Sequence, residues 1–347
     1  MLERHNKEKR RNDMQLEPNQ EAPEMEELLY QLLWSQLQSL GLFREKRAIL
    51  ADLREQVGIS TDYDRWLQTS IVLLGRKRYL YCQDGICSVL DQELTESTAL
   101  WQRWDQHKER WMQNANLKAR VVLVETMLRA LPAILTGKLS ATKTMFPKAS
   151  MRLVEGIYQR NVIADYFNDV LAQLVVTYLQ ERLAYEEHAR IRILEIGAGT
   201  GGTTSRVLQM MQPHQTSIAE YCYSDISAAF LRYGEQAYGK EYPYLTYRIF
   251  NVEKPLAAQG IELGGYDLVI AANVLHATSN IQRTVRNAKA ALKKHGLLLL
   301  NEITGINLFS HLTFGLLEGW WAYEDPELRV PGCPALTAEN WQVVLSS

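Results

Sequence analysis

Cysteine is scarce in this 347-residue chain. There are four, Cys82, Cys87, Cys222 and Cys333, and their spacing suggests neither a disulfide framework nor a zinc site. A reducing, cytoplasmic setting is the expectation. Long apolar runs are also missing. None reaches the ~18–20 residues that span a bilayer, so no membrane is expected. The start does not read as a secretory signal, because Glu3, Arg4, Lys7, Glu8, Lys9, Arg10 and Arg11 crowd it. Charge of one sign is lacking too. The 38 Lys and Arg against 40 Asp and Glu leave a net −2, which gives no reason to expect nucleic acid or another polyanion. What remains is a globular composition, 46% hydrophobic and 22% charged. The length allows two domains, or one large domain with an extension.

Three stretches are expected. Residues 1–24 are polar and mixed in charge, and read as a disordered linker. Residues 25–150 read as a mostly helical N-terminal lobe. Leu28, Leu29, Leu32, Leu33 and Leu37 repeat at three- and four-residue spacing before Gly41, and a second helix is predicted over Tyr63–Leu74. Tyr79–Cys82 and Ile86–Val89 form a hairpin through Asp84-Gly85, so the lobe looks winged-helix-like. Trp101, Trp104 and Trp111 read as packing residues on a helix, and Lys138–Lys148 as a loop. A further helix runs from Met151 to about Tyr185. From Ile191 the pattern changes to apolar strands, Ile191–Ile196, Ile218–Ser224, Leu245–Phe250, Tyr266–Ala271 and Leu297–Leu300. They alternate with helices Thr203–Met211, Ala228–Tyr238 and Thr284–Lys294. Such an order predicts an α/β, doubly wound, Rossmann-like core over residues 151–347, a parallel sheet covered on both faces. Ligands then bind at the carboxyl ends of the strands.

The chemistry-bearing residues fall at those ends. The first strand enters Glu195-Ile196-Gly197-Ala198-Gly199-Thr200-Gly201-Gly202, whose glycines permit a tight turn and close approach of a ligand. The turn fits a dinucleotide fingerprint at Gly197, Gly199 and Gly202. However, the Glu195 carboxylate beside it would repel a pyrophosphate. It suits a cofactor carrying a sulfonium and an ammonium, which is S-adenosyl-L-methionine. Asp225 closes the second strand, where a carboxylate can take both ribose hydroxyls; otherwise it is a helix cap. Asn251 ends the third strand, where its carbonyl can accept from an adenine amine; otherwise it is a turn residue. Asn273 and His276 follow the fourth strand, and Glu302 follows the fifth. If those strands are neighbours, ~4.8 Å apart, the imidazole and the carboxylate come within hydrogen-bonding reach and make a general base.

Several stretches together resemble the C-methyltransferase domains of modular polyketide synthases: LEIGAGTGG (194–202), AANVLHAT (271–278), LNEIT (300–304), GKLSATKTMFP (137–147), YQRNVIADYFN (158–168) and GLLEGWW (315–321). The glycine motif is shared by many methyltransferases; the NVLHAT and NEIT pair with TMFP is more specific. The resemblance implies a helical lobe over a class I methyltransferase core. It implies methyl transfer to the α-carbon of a β-ketoacyl chain. That chain would be a thioester on the phosphopantetheine arm of an acyl carrier protein, among neighbouring synthase domains. His276 and Glu302 match the catalytic dyad, Tyr158 and Asn161 the pocket, and Trp320 and Trp321 its cap. Asn251 departs from the acidic residue common in related enzymes. The chain also stops before the two further strands usual in this fold, which suggests a fragment of a larger polypeptide. Three competing readings are a small-molecule O-methyltransferase, a nicotinamide-dependent ketoreductase and an inactive scaffold. The ketoreductase needs a tyrosine after the glycine turn, and Tyr158 precedes it.

Overall fold

Leu28, Leu29, Leu32, Leu33 and Leu37 are each at most 3% exposed, on one face of α1 (Glu21–Leu40), which Gly41 ends at φ +108°. This is a computed structural model describing residues 21–90 and 96–346. The linker expected over 1–24 lies mainly outside the described residues, and its last four open α1. The lobe continues with β1 (Arg47–Ile49), α2 (Leu50–Val57), α3 (Asp64–Arg76), β2 (Leu80–Gln83), β3 (Ile86–Val89), α4 (Ser97–Gln113) and α5 (Ala115–Leu135). The small sheet is antiparallel in the order β1-β3-β2. Asp84 and Gly85 both take positive φ, as a two-residue hairpin turn requires. The resulting register sets Cys82 opposite Cys87, and the two form a disulfide. The expectation that the cysteines stay unpaired is corrected here. Spacing alone hid the pairing because the hairpin, not a framework, brings the two together. Trp104 and Trp111 are fully buried and meet edge to face at 5.1 Å, an arrangement worth ~0.5–1.5 kcal/mol beyond area burial.

The stretch expected as a loop holds a short helix, α6 (Ala141–Met145), capped by the Ser140 hydroxyl. The single helix expected from Met151 divides into α7 (Glu155–Tyr158) and α8 (Val162–Tyr185). At the break, the Asn161 side chain accepts from Ala164 N and so starts α8 afresh. By length and composition α8 is apolar enough to cross a membrane, although Asp165, Asp169, Glu181 and Arg182 interrupt it. In the fold it lies against the sheet layer instead, with Leu171, Ala172, Val175 and Leu179 in the core.

The sheet comprises β4 (Ile191–Ile196), β5 (Ile218–Asp225), β6 (Leu245–Ile249), β7 (Tyr266–Ala272) and β8 (Leu292–Asn301), in the order β6-β5-β4-β7-β8. All its pairings are parallel. The intervening helices are α9 (Gly202–Met211), α10 (Ala228–Tyr238) and α11 (Ile281–Ala290); α12 (Leu308–Leu312) and α13 (Ala338–Ser346) follow β8. One core lies under α8 and α9, and another under α11 and α13. β8 starts five residues earlier than expected, because Leu292 already pairs with Tyr266 before an irregularity around His295-Gly296 restores the register at Leu297. The chain leaves β4 for one side of the sheet and returns to β7 on the other. The carboxyl ends of β4 and β7 therefore flank the switch point where a ligand crevice opens. After β8 the chain also returns to the lobe, where Leu308, Phe309, Leu312 and Leu316 join its core.

Candidate active site

A cavity of ≈1280 Å³ opens at that switch point, between the lobe and the strand ends. At the β4 end the backbone makes the wall. Gly197 has φ +64°, and a Cβ there would fall 2.3 Å from Val274 Cγ2. At Gly202 a Cβ would fall 2.5 Å from the Tyr158 carbonyl. Gly199 and Thr200 line the cavity; Gly201 does not reach it. Gly201 stands behind the wall, its carbonyl accepting from the Tyr238 hydroxyl. The Thr200 hydroxyl is buried without a partner, an orphan that a ligand in the turn can satisfy.

Glu195 is 2% exposed, and one of its oxygens accepts from Thr204 Oγ1 and Tyr221 OH, both at 2.6 Å. Burial outweighs those two donors and lifts the carboxyl pKa to about 7. Asp225 accepts from Gly199 N at 3.1 Å and Ser227 N at 2.8 Å, and burial raises its pKa against those bonds. Two carboxylates so placed have no cation among their partners. That suits a cationic ligand with hydroxyls and is costly beside a pyrophosphate. Ile226, next to Asp225, is 71% exposed and lines the cavity, an apolar surface for a planar base. Asn251 lines it too, but its side-chain carbonyl already accepts from Glu253 N at 2.9 Å. The turn role is therefore seen directly. Phe146 beside α6 meets Phe230 of α10 edge to face at 6.5 Å, closing the lobe over this end.

The dyad end is assembled from separate segments. Asn273 takes φ +54° and donates its N–H to Asn301 O at 2.7 Å, which ties the end of β7 to that of β8. His276 Nδ1 then meets Glu302 Oε2, with both side chains buried. The other carboxylate oxygen accepts from Val274 N at 3.1 Å and Leu275 N at 2.8 Å. An ionised carboxylate can only accept, so Nδ1 carries the hydrogen of this contact, and in the neutral ring Nε2 is then the acceptor. Trp320 stands edge-on to the imidazole at 6.2 Å and lines the cavity. Trp321 does not line it. Its indole donates to Gly315 O at 2.7 Å. Tyr158 lines the cavity, and burial, then the Glu302 charge, raises its pKa to about 12. Asn161 lines it as well, but its oxygen caps α8 and its amide donates to Gly156 O and Ile157 O.

Sequence reasoning missed Arg329 and Asp325. Arg329 is 4% exposed and Asp325 5%. The guanidinium bonds both Asp325 oxygens, at 2.6 and 3.2 Å. It also donates to His276 O at 2.8 Å, Thr278 O at 3.0 Å and Pro334 O at 2.8 Å. Asp325 in turn accepts from Ile281 N at 2.6 Å. The pair thus grips the segment carrying His276 at several backbone points. The only available signal was an acid and a base four residues apart outside any predicted helix.

A profile of methyltransferase domains matches residues 194–298. The chain is 54% identical over 323 residues to polyketide synthase PksR of Bacillus subtilis (strain 168). That match takes in 93% of this chain and 12% of the relative, so the chain spans about an eighth of that protein's length. Among solved structures, the DszA carbon methyltransferase is 33% identical with TM-score 0.88, covering 95% of this chain and 84% of that one. The CurJ carbon methyltransferase is 28% identical with TM-score 0.81, covering 94% and 85%.

Proposed function

This chain belongs to the carbon methyltransferases of polyketide synthases and uses S-adenosylmethionine, and from that premise we propose its substrate and its base. The substrate is a β-ketoacyl chain held as a thioester on the phosphopantetheine arm of an acyl carrier protein, within a cytoplasmic synthase. The acceptor is the α-carbon, and the base is His276. The observation that carries this reading is the buried His276–Glu302 pair at the cavity wall, which turns Nδ1 toward the carboxylate and leaves Nε2 free of it.

An α-carbon between a ketone and a thioester is acidic enough for an imidazole once its enolate is stabilised. Nε2 takes the α-proton, and Glu302 stabilises the imidazolium that results. Tyr158, kept protonated by burial, donates to the developing enolate oxygen. Bound S-adenosylmethionine supplies an electrophilic methyl group. Asp225 would hold its ribose, Gly197, Gly199 and Thr200 its amino-acid end, Glu195 its cationic centre and Asn251 its base. The new C–C bond replaces the C–H bond whose proton passes from His276 to solvent. In this reading residues 25–150 form the lobe that roofs the cavity, and residues 151–347 the catalytic core. A small-molecule O-methyltransferase could also use a histidine base, but it would not need the long N-terminal lobe or a surface that docks a carrier protein.

The test is α-proton exchange in deuterated buffer without any methyl donor. Wild type exchanges the α-protons of a β-ketoacyl carrier protein faster than His276→Ala. In the variant, methylation falls by roughly 10²–10⁴-fold and cofactor affinity is kept. Equal exchange rates in the two proteins would refute the base assignment.

A further inference from the structure

Arg120, on the lobe side of the cavity, carries a charge that the protein leaves uncompensated. Its guanidinium lies over the Phe309 ring at 4.6 Å, and its Nε is sealed off without a hydrogen-bond partner. Among the described residues no carboxylate forms an ion pair with it. Glu26 of α1 favours the cation only from a distance, and burial outweighs that help, holding the guanidinium pKa below its usual value. Arg329, by contrast, spends its donors on a carboxylate and three carbonyls. Withdrawing part of a cation from water with no anion beside it is unfavourable. A fold that bears that cost at a cavity wall has kept a place for an anion. Stacking on Phe309 fixes the plane of the fork, and a guanidinium edge matches a carboxylate or a phosphate through two parallel hydrogen bonds. Asn116, one turn earlier on α5, also lines the cavity. Its oxygen accepts from Val162 N, which leaves its amide hydrogens for the same ligand.

We propose that Arg120 is the cavity's oxyanion receptor, binding either the carboxylate of the cofactor's amino-acid end or the phosphate of the substrate's pantetheine arm. The phosphate alternative rests on the carrier-protein reading above; the carboxylate alternative does not. Calorimetry on the full chain separates the two. The ligands are S-adenosylhomocysteine, 5′-methylthioadenosine (which lacks the carboxylate), phosphopantetheine and pantetheine, and the proteins are wild type, Arg120→Met and Arg120→Lys. Methionine preserves the apolar stem, and lysine preserves the charge without the fork, with an unchanged melting temperature as the check on folding. One of the two anionic probes should lose at least 10-fold in affinity in Arg120→Met and less in Arg120→Lys, while its uncharged counterpart binds all three proteins alike. A loss confined to S-adenosylhomocysteine identifies the cofactor carboxylate, and a loss confined to phosphopantetheine identifies the arm. Unchanged affinity for both anions, or an equal loss for charged and uncharged probes, overturns the proposal. A wild type that binds these probes but never methylates a carrier-bound chain refutes the proposed function and leaves only the carboxylate alternative standing.

Discussion

From Glu195 to Gly202 one wall of the cavity is a single run of chain with Gly201 just behind it, whereas His276, Glu302 and Trp320 reach the other wall from separate segments, held from behind by Arg329. The first wall relies on backbone. Positive φ at Gly197 and Gly199 shapes it, and α9 begins directly behind it. The second relies on side chains that brace one another, Glu302 against the Val274 and Leu275 amides and Arg329 against the His276 carbonyl. A local turn can be built without the rest of the protein being in perfect order. A braced pair needs every brace, since losing any one loosens the geometry on which the proposed proton transfer depends.

That contrast breaks most visibly at Arg329. Arg329→Met leaves Asp325 buried and unpaired, and should cost ~3–5 kcal/mol of stability by chemical denaturation. The double variant Arg329→Met, Asp325→Leu should regain most of that stability, because a buried ion pair replaced by apolar side chains is often neutral. Its kcat should stay low, because the His276 carbonyl has lost its anchor. Recovery of stability and kcat together would show that the pair serves folding alone.

The next effect in size belongs to the turn wall. Asp225→Ala should weaken S-adenosylhomocysteine binding by about 2–3 kcal/mol, the scale of lost charge-assisted hydrogen bonds. The rate of α-proton exchange should not change. Loss of exchange in this variant would mean that the two walls are not independent.

The smallest effect is a pH dependence. The folded pKa of Glu195, about 7, lies above its ordinary value of 4.5, so the folded state binds the proton more tightly than the unfolded one. The stability this confers is complete below pH 4.5 and is lost as pH rises through about 7. Between pH 6 and 8 the unliganded protein should lose about 1 kcal/mol at this residue. Glu195→Gln should remove that part of the slope in thermal melts at stepped pH. Cofactor affinity in wild type should rise across the same interval, because a sulfonium favours the ionised carboxylate. An unaltered slope in the variant would put the titration elsewhere.

Part of this site could be read directly from the chain and part could not, for physical reasons. The dyad was legible because parallel neighbours end at the same edge of a sheet, so residues just past β7 and β8 must meet. The glycine turn was legible because positive φ demands glycine. Asn251 lines the cavity and its carbonyl also closes a local turn, and residue type cannot say which of these acceptor roles it takes. Gly201 and Trp321 sit inside the right motifs yet face away from the cavity, and facing is a tertiary property. The Cys82–Cys87 bond depended on hairpin register, and α6 on a Ser140 cap within a stretch that reads as loop.

By itself the sequence determined the alternation of strand and helix, the parallel sheet and which residue types stand at each strand end, because periodicity and glycine placement are local and need no partner. Only the tertiary structure decided which groups face the cavity. It laid the lobe's α5 and α6 against the strand ends, brought Phe309 back under Arg120, and set Arg329 against the carbonyl of His276. Those contacts are made by backbone carbonyls and ring faces, which every residue or every aromatic can offer. Nothing in a residue's identity says which of them will be used until the chain has packed.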